Sequence, residues 1–85
     1  MNSATKPRRV VVYGREGCHL CEDMIASLRS LQKKIQFEFE VINIDNDENL
    51  IQLYGERVPV LFAVEEQKEL CHYFLDSEAF NAYLA

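Results

Sequence analysis

The apolar positions of this chain change their period several times, and each change marks an element. Arg8 to Tyr13 contains Val10, Val11, Val12 and Tyr13 in unbroken sequence. An apolar, β-branched run with no polar alternation predicts a strand covered on both faces. From about His19 to Lys34 the period becomes helical, with Cys21, Met24, Ile25, Leu28, Leu31 and Ile35 recurring at steps of three and four to form one apolar face. Glu22 and Asp23 in the first turn and Lys33 and Lys34 in the last suit the helix dipole. Gln36 to Ile44 then reads as a strand. Phe37, Phe39 and Val41 share one face, Glu38 and Glu40 begin the other, and Ile42 and Ile44 complete it. This pattern predicts an edge strand that starts half-exposed and ends covered on both sides. A strand, a helix and a strand in so short a stretch make a right-handed βαβ unit with parallel strands.

The second half repeats the alternation with shorter elements. Asp45, Asn46 and Asp47 are turn and cap residues. Glu48 to Tyr54 predicts a short helix that turns Leu50, Ile51, Leu53 and Tyr54 inward, with Gly55 at its end. Arg57 to Val64 is a second doubly covered run, although Pro59 suits only the start of such a strand. Glu65 to Lys68 forms a polar turn, and Leu70 to Phe74 returns as the other arm of a hairpin. Asp76 or Ser77 caps a final helix through Leu84, with Phe80, Tyr83 and Leu84 packing back. The expected order is β-α-β-α-β-β-α: an α/β fold with a four-stranded mixed sheet between helices. Residues 1–7 are expected to be a flexible leader and residues 8–85 a single domain.

Composition narrows the chemistry. With 85 residues and a net charge of −5, the chain lacks the basic footprint of non-specific nucleic-acid binding. No apolar run approaches a membrane span, and MNSATKPRR lacks the apolar segment of a secretory signal. A cytoplasmic, monomeric protein with neither a nucleic-acid nor a membrane partner is expected. Three cysteines, an odd number, fit poorly with a secreted disulfide framework. In a reducing compartment a close C-x-x-C pair is more often catalytic or metal-binding than structural.

That pair is Cys18 and Cys21, in RVVVYGREGCHLC. The two thiols stand on one face of a first helical turn. The partial positive charge of the helix N-terminus favours the Cys18 thiolate, whereas Glu22 and Asp23 partly oppose it. A redox dithiol is the leading reading. Cys21 belongs to the apolar stripe, so its thiol is expected to be buried and of higher pKa. His19, as a cation, would favour the thiolate; equally, it could be an exposed imidazole paired with Asp23. A zinc site joining Cys18, Cys21, Cys71 and His72 has suitable ligand types, although a cysteine in the last strand is more simply a small apolar core residue.

The element order, the C-x-x-C between first strand and first helix, and Val58-Pro59 opening the third strand together resemble the thioredoxin fold in its minimal, glutaredoxin size. More narrowly, YGREGCHLCEDM with LYGERVPVL resembles small glutaredoxin-like proteins that carry C-H-L-C in place of C-P-Y-C. The resemblance implies a thiol–disulfide oxidoreductase with Cys18 as nucleophile and Cys21 as resolving thiol. Pro59 would be a cis-proline facing the dithiol, and the Val58 backbone would pair with an extended substrate. The implied partner is a disulfide-containing protein or small-molecule disulfide, with glutathione as candidate co-substrate and no bound cofactor. Arg15 falls near a basic residue that could meet a glutathione carboxylate. Arg57 stands where glutaredoxins often have threonine, as a surface residue or a substrate clamp. The chain departs from the pattern before its last helix. There glutaredoxins carry a Gly-Gly pair and then acidic residues, with backbone amides that hold the glutamyl end of glutathione. Here the segment is His72-Tyr73-Phe74-Leu75-Asp76-Ser77. Two competing functions remain: a thioredoxin-fold adaptor whose thiols do not turn over, and a zinc or iron–sulfur carrier.

Overall fold

The computed structural model describes residues 7–85; residues 1–6, on which most of the expected leader falls, lie outside the described residues. The elements follow in the order β1 (Arg8–Gly14), α1 (His19–Leu31), β2 (Phe37–Asn43), a 3-10 turn (Ile44–Asn46), α2 (Glu48–Tyr54), β3 (Val60–Ala63), β4 (Lys68–His72) and α3 (Ser77–Leu84). One sheet holds all four strands in the order β2-β1-β3-β4. β1 runs parallel to β2, with Val12 opposite Val41, and antiparallel to β3, with Val12 opposite Leu61. β3 is antiparallel to β4, so only β2 and β4 present edges.

The unbroken valine run has the environment its pattern demands. Val10 and Val12 are buried in one cluster with Met24 and Leu28 of α1 and Phe80 and Tyr83 of α3. Val11 and Tyr13 point to the opposite face, where the Tyr13 ring stacks on Tyr54 of α2 at 4.7 Å and meets Phe62 edge-on at 5.9 Å. The first face is the deeper: Phe80 is fully buried and stands edge-on to Phe37, 5.0 Å between ring centres. Among the described residues no helix is long and apolar enough to cross a membrane.

Several elements differ from the sequence expectation for identifiable reasons. α1 stops at Leu31 rather than Lys34 because the chain tightens into i→i+3 bonds, Lys33 N–H to Ser30 O and Lys34 N–H to Leu31 O. The Gln32 amide then donates to the Phe37 carbonyl and hands the chain to β2. β2 does not end covered on both sides: Val41 is 45% exposed, and Ile44, although fully buried, belongs to the 3-10 turn. α2 buries no residue completely, and Leu53, expected inward, is 58% exposed. A helix of two turns on a narrow sheet can direct only part of its circumference inward. β4 begins two residues earlier than expected, because the turn after β3 closes tightly through Gln67 at φ 54°. It ends at His72, so Tyr73 and Phe74 are loop rather than strand.

α3 is pinned to the opposite corner of the sheet by one hydroxyl. The buried Tyr83 OH lies against the Glu65 carboxylate, 2.8 Å from the Arg9 carbonyl, and accepts the Glu65 N–H at 3.2 Å. Removing it in Tyr83→Phe should cost about 1–3 kcal/mol in chemical denaturation, because the Arg9 and Glu65 groups lose a partner that water replaces only in part. The same contact holds the Glu65 carboxyl below its ordinary pKa, chiefly through the Tyr83 hydroxyl and then through the Arg9 N–H. A carboxyl whose pKa is lowered by folding contributes stability above its unfolded pKa and loses it as pH falls through the folded value. Stability measured below about pH 4.3 should therefore decline less steeply in Tyr83→Phe than in the parent.

Candidate functional site

The sheet directions gather the chemistry at one end. β1 ends at Gly14, Asn43 is the β2 residue opposite it, and β3, running the other way, begins at Val60 opposite Tyr13. β4 ends opposite Val60 at His72. The loops carrying the two cysteines, Val58-Pro59 and Tyr73-Phe74 therefore leave from the same edge of the molecule.

The turn from β1 into α1 needs glycine twice. Gly17 has φ +73°, a left-handed conformation that glycine adopts freely, and it swings the chain so that Cys18 can cap the helix. A Cβ on Gly14 would stand 3.0 Å from the Cys21 sulfur, so the bare backbone makes room for that thiol. Cys18 has extended backbone, φ −95° and ψ 111°, and its Sγ accepts the Cys21 N–H at 3.1 Å. Sulfur thus takes the place that a serine or aspartate oxygen usually fills at a helix N-cap. Cys18 and Cys21 are joined as a disulfide, with their Cα atoms 5.2 Å apart. Cys18 is half-buried and Cys21 only 3% exposed. Cys18, at the helix cap, is the more exposed of the two, and Cys21 is buried.

The Val58-Pro59 peptide bond is cis, and Pro59 is fully buried with its carbonyl accepting the Tyr73 N–H at 2.8 Å. The Tyr73 hydroxyl donates to the Glu56 carbonyl at 2.6 Å. The proline loop and the loop after β4 are therefore stitched together at both ends of one tyrosine. Tyr73 has φ +65°, left-handed backbone that costs a bulky residue about 1–3 kcal/mol and that these bonds hold in place. It lies in the His72–Ser77 segment, where the family resemblance leads one to look for a Gly-Gly pair.

The charged residues singled out from the sequence are engaged with other partners. Arg15 pairs with Asp45, Nη2 to Oδ1 2.7 Å, and also donates to the Gly55 carbonyl at 3.3 Å. Arg57 is paired with Glu69, whose other oxygen holds His72 Nδ1 at 2.7 Å. His19 is exposed, and the ion pairs of the described residues include none to Asp23. Cys71 is half-buried; burial pushes its thiol pKa up, and its sulfur accepts the Asp76 N–H at 3.4 Å. Cys18, Cys21, Cys71 and His72 do not come together as a ligand set. Among the described residues no group of three or more His, Cys, Asp or Glu is placed to hold a metal ion.

Four residues of this end were not legible as site residues. Asp45 reads as a turn residue and Glu69 falls between the expected turn and strand, because an ion pair across thirty or twelve positions leaves no local pattern. Tyr73 and Phe74 read as strand. The mixed polar and aromatic sequence that follows Cys71 was the available signal that the strand had already ended.

A paired C-x-x-C at the first βα junction of a β2-β1-β3-β4 mixed sheet, with a cis-proline opening β3, defines a glutaredoxin-like protein of thioredoxin fold. Residues 9–85 match the model of the Glutaredoxin-like domain (DUF836), and the chain belongs to that family. It is similar over its whole length, at 70% identity and a TM-score of 0.89, to the solution structure of protein Ne2328 from Nitrosomonas europaea, which it covers completely. It is 32% identical to the X-ray structure of protein XcR50 from X. campestris, with 88% of this chain and 93% of that one aligned at a TM-score of 0.64. A malarial protein aligned over 92% and 93% of the two chains, at 17% identity and a TM-score of 0.64, shares the fold. No curated protein matches the chain.

Proposed function

We propose that this protein is a dithiol–disulfide oxidoreductase that works through Cys18 and Cys21. The observation that carries the proposal is the asymmetry of the pair: a half-buried cysteine whose sulfur receives a helix N–H, joined to a buried one. In the reduced protein the Cys18 thiolate would attack a substrate disulfide, forming a mixed disulfide and expelling one substrate thiolate. Cys21, losing its proton to that thiolate or to water, would then attack Cys18 and release the second substrate thiol. Two electrons leave the dithiol, and the Cys18–Cys21 disulfide is the product on the protein side. In the disulfide form the Cys21 N–H lies 3.1 Å from the Cys18 sulfur, and the same bond would favour the anionic form of that sulfur both as attacking group and as leaving group.

The other predicted site residues divide by role in this reading. Val58, half-buried beside the cis-proline, offers backbone to an extended substrate segment, and Pro59 shapes that loop. Arg15 and Arg57, each held by a carboxylate, brace the loops around the dithiol rather than clamp a substrate. His19 follows Cys18 in the chain and is exposed, free to meet a substrate bound at the dithiol.

Equilibration of the full chain with dithiol/disulfide buffers tests the reading. The pair should titrate reversibly at a potential between about −120 and −270 mV, the range of exchanging dithiols, rather than below about −300 mV, where structural disulfides lie. A pair that stays oxidised under all such buffers would favour the adaptor function.

A further inference from the structure

The charges of this molecule are partly sorted along the sheet. Glu16, Glu22, Asp23, Asp76 and Glu78 are all exposed, and all belong to the turn before α1, to its N-terminal part, or to the start of α3. Arg8, Arg9, Arg29, Lys33, Lys34 and Lys68 lie at the other end, where they outnumber the exposed Glu38, Glu65 and Glu66 beside Arg9 and Lys68. The two guanidinium groups that do reach the dithiol end are taken up by Asp45 and Glu69. Three backbone donors of the loop after β4 are also occupied. Tyr73 N–H donates to Pro59 O, Phe74 N–H to His72 O at 2.7 Å, and Asp76 N–H to the Cys71 sulfur. The Asp76 carboxylate caps α3 by accepting the Ala79 N–H at 3.1 Å.

A groove of mixed polar and apolar lining runs along the start of α1 in this acidic setting. Its apolar wall is Leu20, from between the two cysteines, with Met24, Phe74 and Leu75, and Asp23, Ser27 and Ser77 are its polar side. Phe74 is 69% exposed and Tyr73 40%. Tyr73 is tied to Pro59 and Glu56, whereas the Phe74 ring beside it is left as an exposed apolar surface.

We infer that the dithiol takes the disulfide of an extended, cationic polypeptide segment whose apolar side chain seats on Phe74, and that it is not built for glutathione. The inference rests on the reading of Cys18 and Cys21 as a redox pair. Glutathione carries two carboxylates against one ammonium group. It would meet a carboxylate-rich surface whose two guanidinium groups, Arg15 and Arg57, are already paired within the protein. A lysine- or arginine-bearing segment meets complementary charge, and the field of the sorted charges steers it toward the correct end.

Single-turnover kinetics of the pre-reduced full chain test this without an added reductant. The probes are 2-pyridyl mixed disulfides of three single-cysteine peptides and of glutathione. The peptides place leucine between lysines, leucine between glutamates, or serine between lysines beside the cysteine. In each case the Cys18 thiolate forms a new S–S bond with the peptide sulfur, and 2-thiopyridone leaves with the electron pair and takes up a proton. Cys21 then displaces the peptide thiol. Rates are divided by those of dithiothreitol with the same probe, which removes intrinsic reactivity. The lysine–leucine probe should react about tenfold or more faster than the glutamate–leucine and glutathione probes at low salt, and this margin should shrink severalfold near 0.5 M salt. Asp23→Lys should narrow the lysine-to-glutamate ratio, and Phe74→Ala should bring the leucine-to-serine ratio toward one. A glutathione probe as fast as the lysine–leucine one, or ratios that neither substitution moves, would overturn the inference while leaving the redox reading intact. If no probe released 2-thiopyridone faster than it does with Cys18→Ser, both would fall.

Discussion

Cys18→Ser should reduce turnover of a small disulfide such as 2-hydroxyethyl disulfide on the order of a thousandfold or more, to the uncatalysed background. A serine hydroxyl is un-ionised at neutral pH and does not exchange with a disulfide. Cys21→Ser should behave differently. Its Cys18 thiolate can still attack, but the intramolecular second step is gone, so one mixed disulfide per molecule should accumulate when no other thiol is present. Cys71 does not replace the lost thiol. Burial raises its pKa, its sulfur is engaged with the Asp76 N–H, and it lies on β4 rather than on the first turn of α1. The asymmetry of the two variants, one inert and one arrested, separates a working dithiol from an adaptor, which would bind a partner equally well with either cysteine replaced.

The largest effect on stability is expected at Phe80. Its ring is completely buried between the sheet and α1 and edge-on to Phe37. Phe80→Ala removes both that packing and the transfer free energy of a whole aromatic side chain, about 3–5 kcal/mol. A domain of 85 residues has roughly 4–13 kcal/mol in total, so the variant should be substantially unfolded or have a denaturation midpoint shifted far downward. Phe74→Ala, the same chemical change on an exposed ring of the same chain, should alter stability by less than about 0.5 kcal/mol. A Phe80→Ala loss below about 1 kcal/mol would contradict the placement of α3. The two phenylalanines thus divide the labour of this small molecule, one holding the sheet to its helices and the other left for contact with something outside it.

The architecture could be read from the sequence largely because the periods in it are unambiguous. The unbroken Val10–Tyr13 and Val60–Ala63 runs match the two central strands, and the stripe from Cys21 to Leu28 matches the buried face of α1. Asp76 is recognisable as a cap because its carboxylate competes locally for the Ala79 amide. What the sequence concealed depends on contacts between distant segments. The end of α1 carries no glycine or proline, so nothing local marks Leu31 as its last residue. Arg15 offers a free cation on paper, yet Asp45, brought alongside it by the 3-10 turn after β2, takes it up. Tyr73 is a β-favouring residue in left-handed backbone, held there by Pro59 and Glu56, which are distant in sequence. The dithiol itself was visible because its spacing is a property of one helical turn. The surface around it was not, because three loops meet to form it.

The account rests on the Cys18 sulfur being the one that bonds to substrate, and the adduct arrested in Cys21→Ser tests this directly. Digestion without reductant and fragmentation by tandem mass spectrometry should place the 2-mercaptoethanol moiety on Cys18 in essentially every modified molecule. Attachment to Cys71 instead, or a protein recovered unmodified, would contradict it.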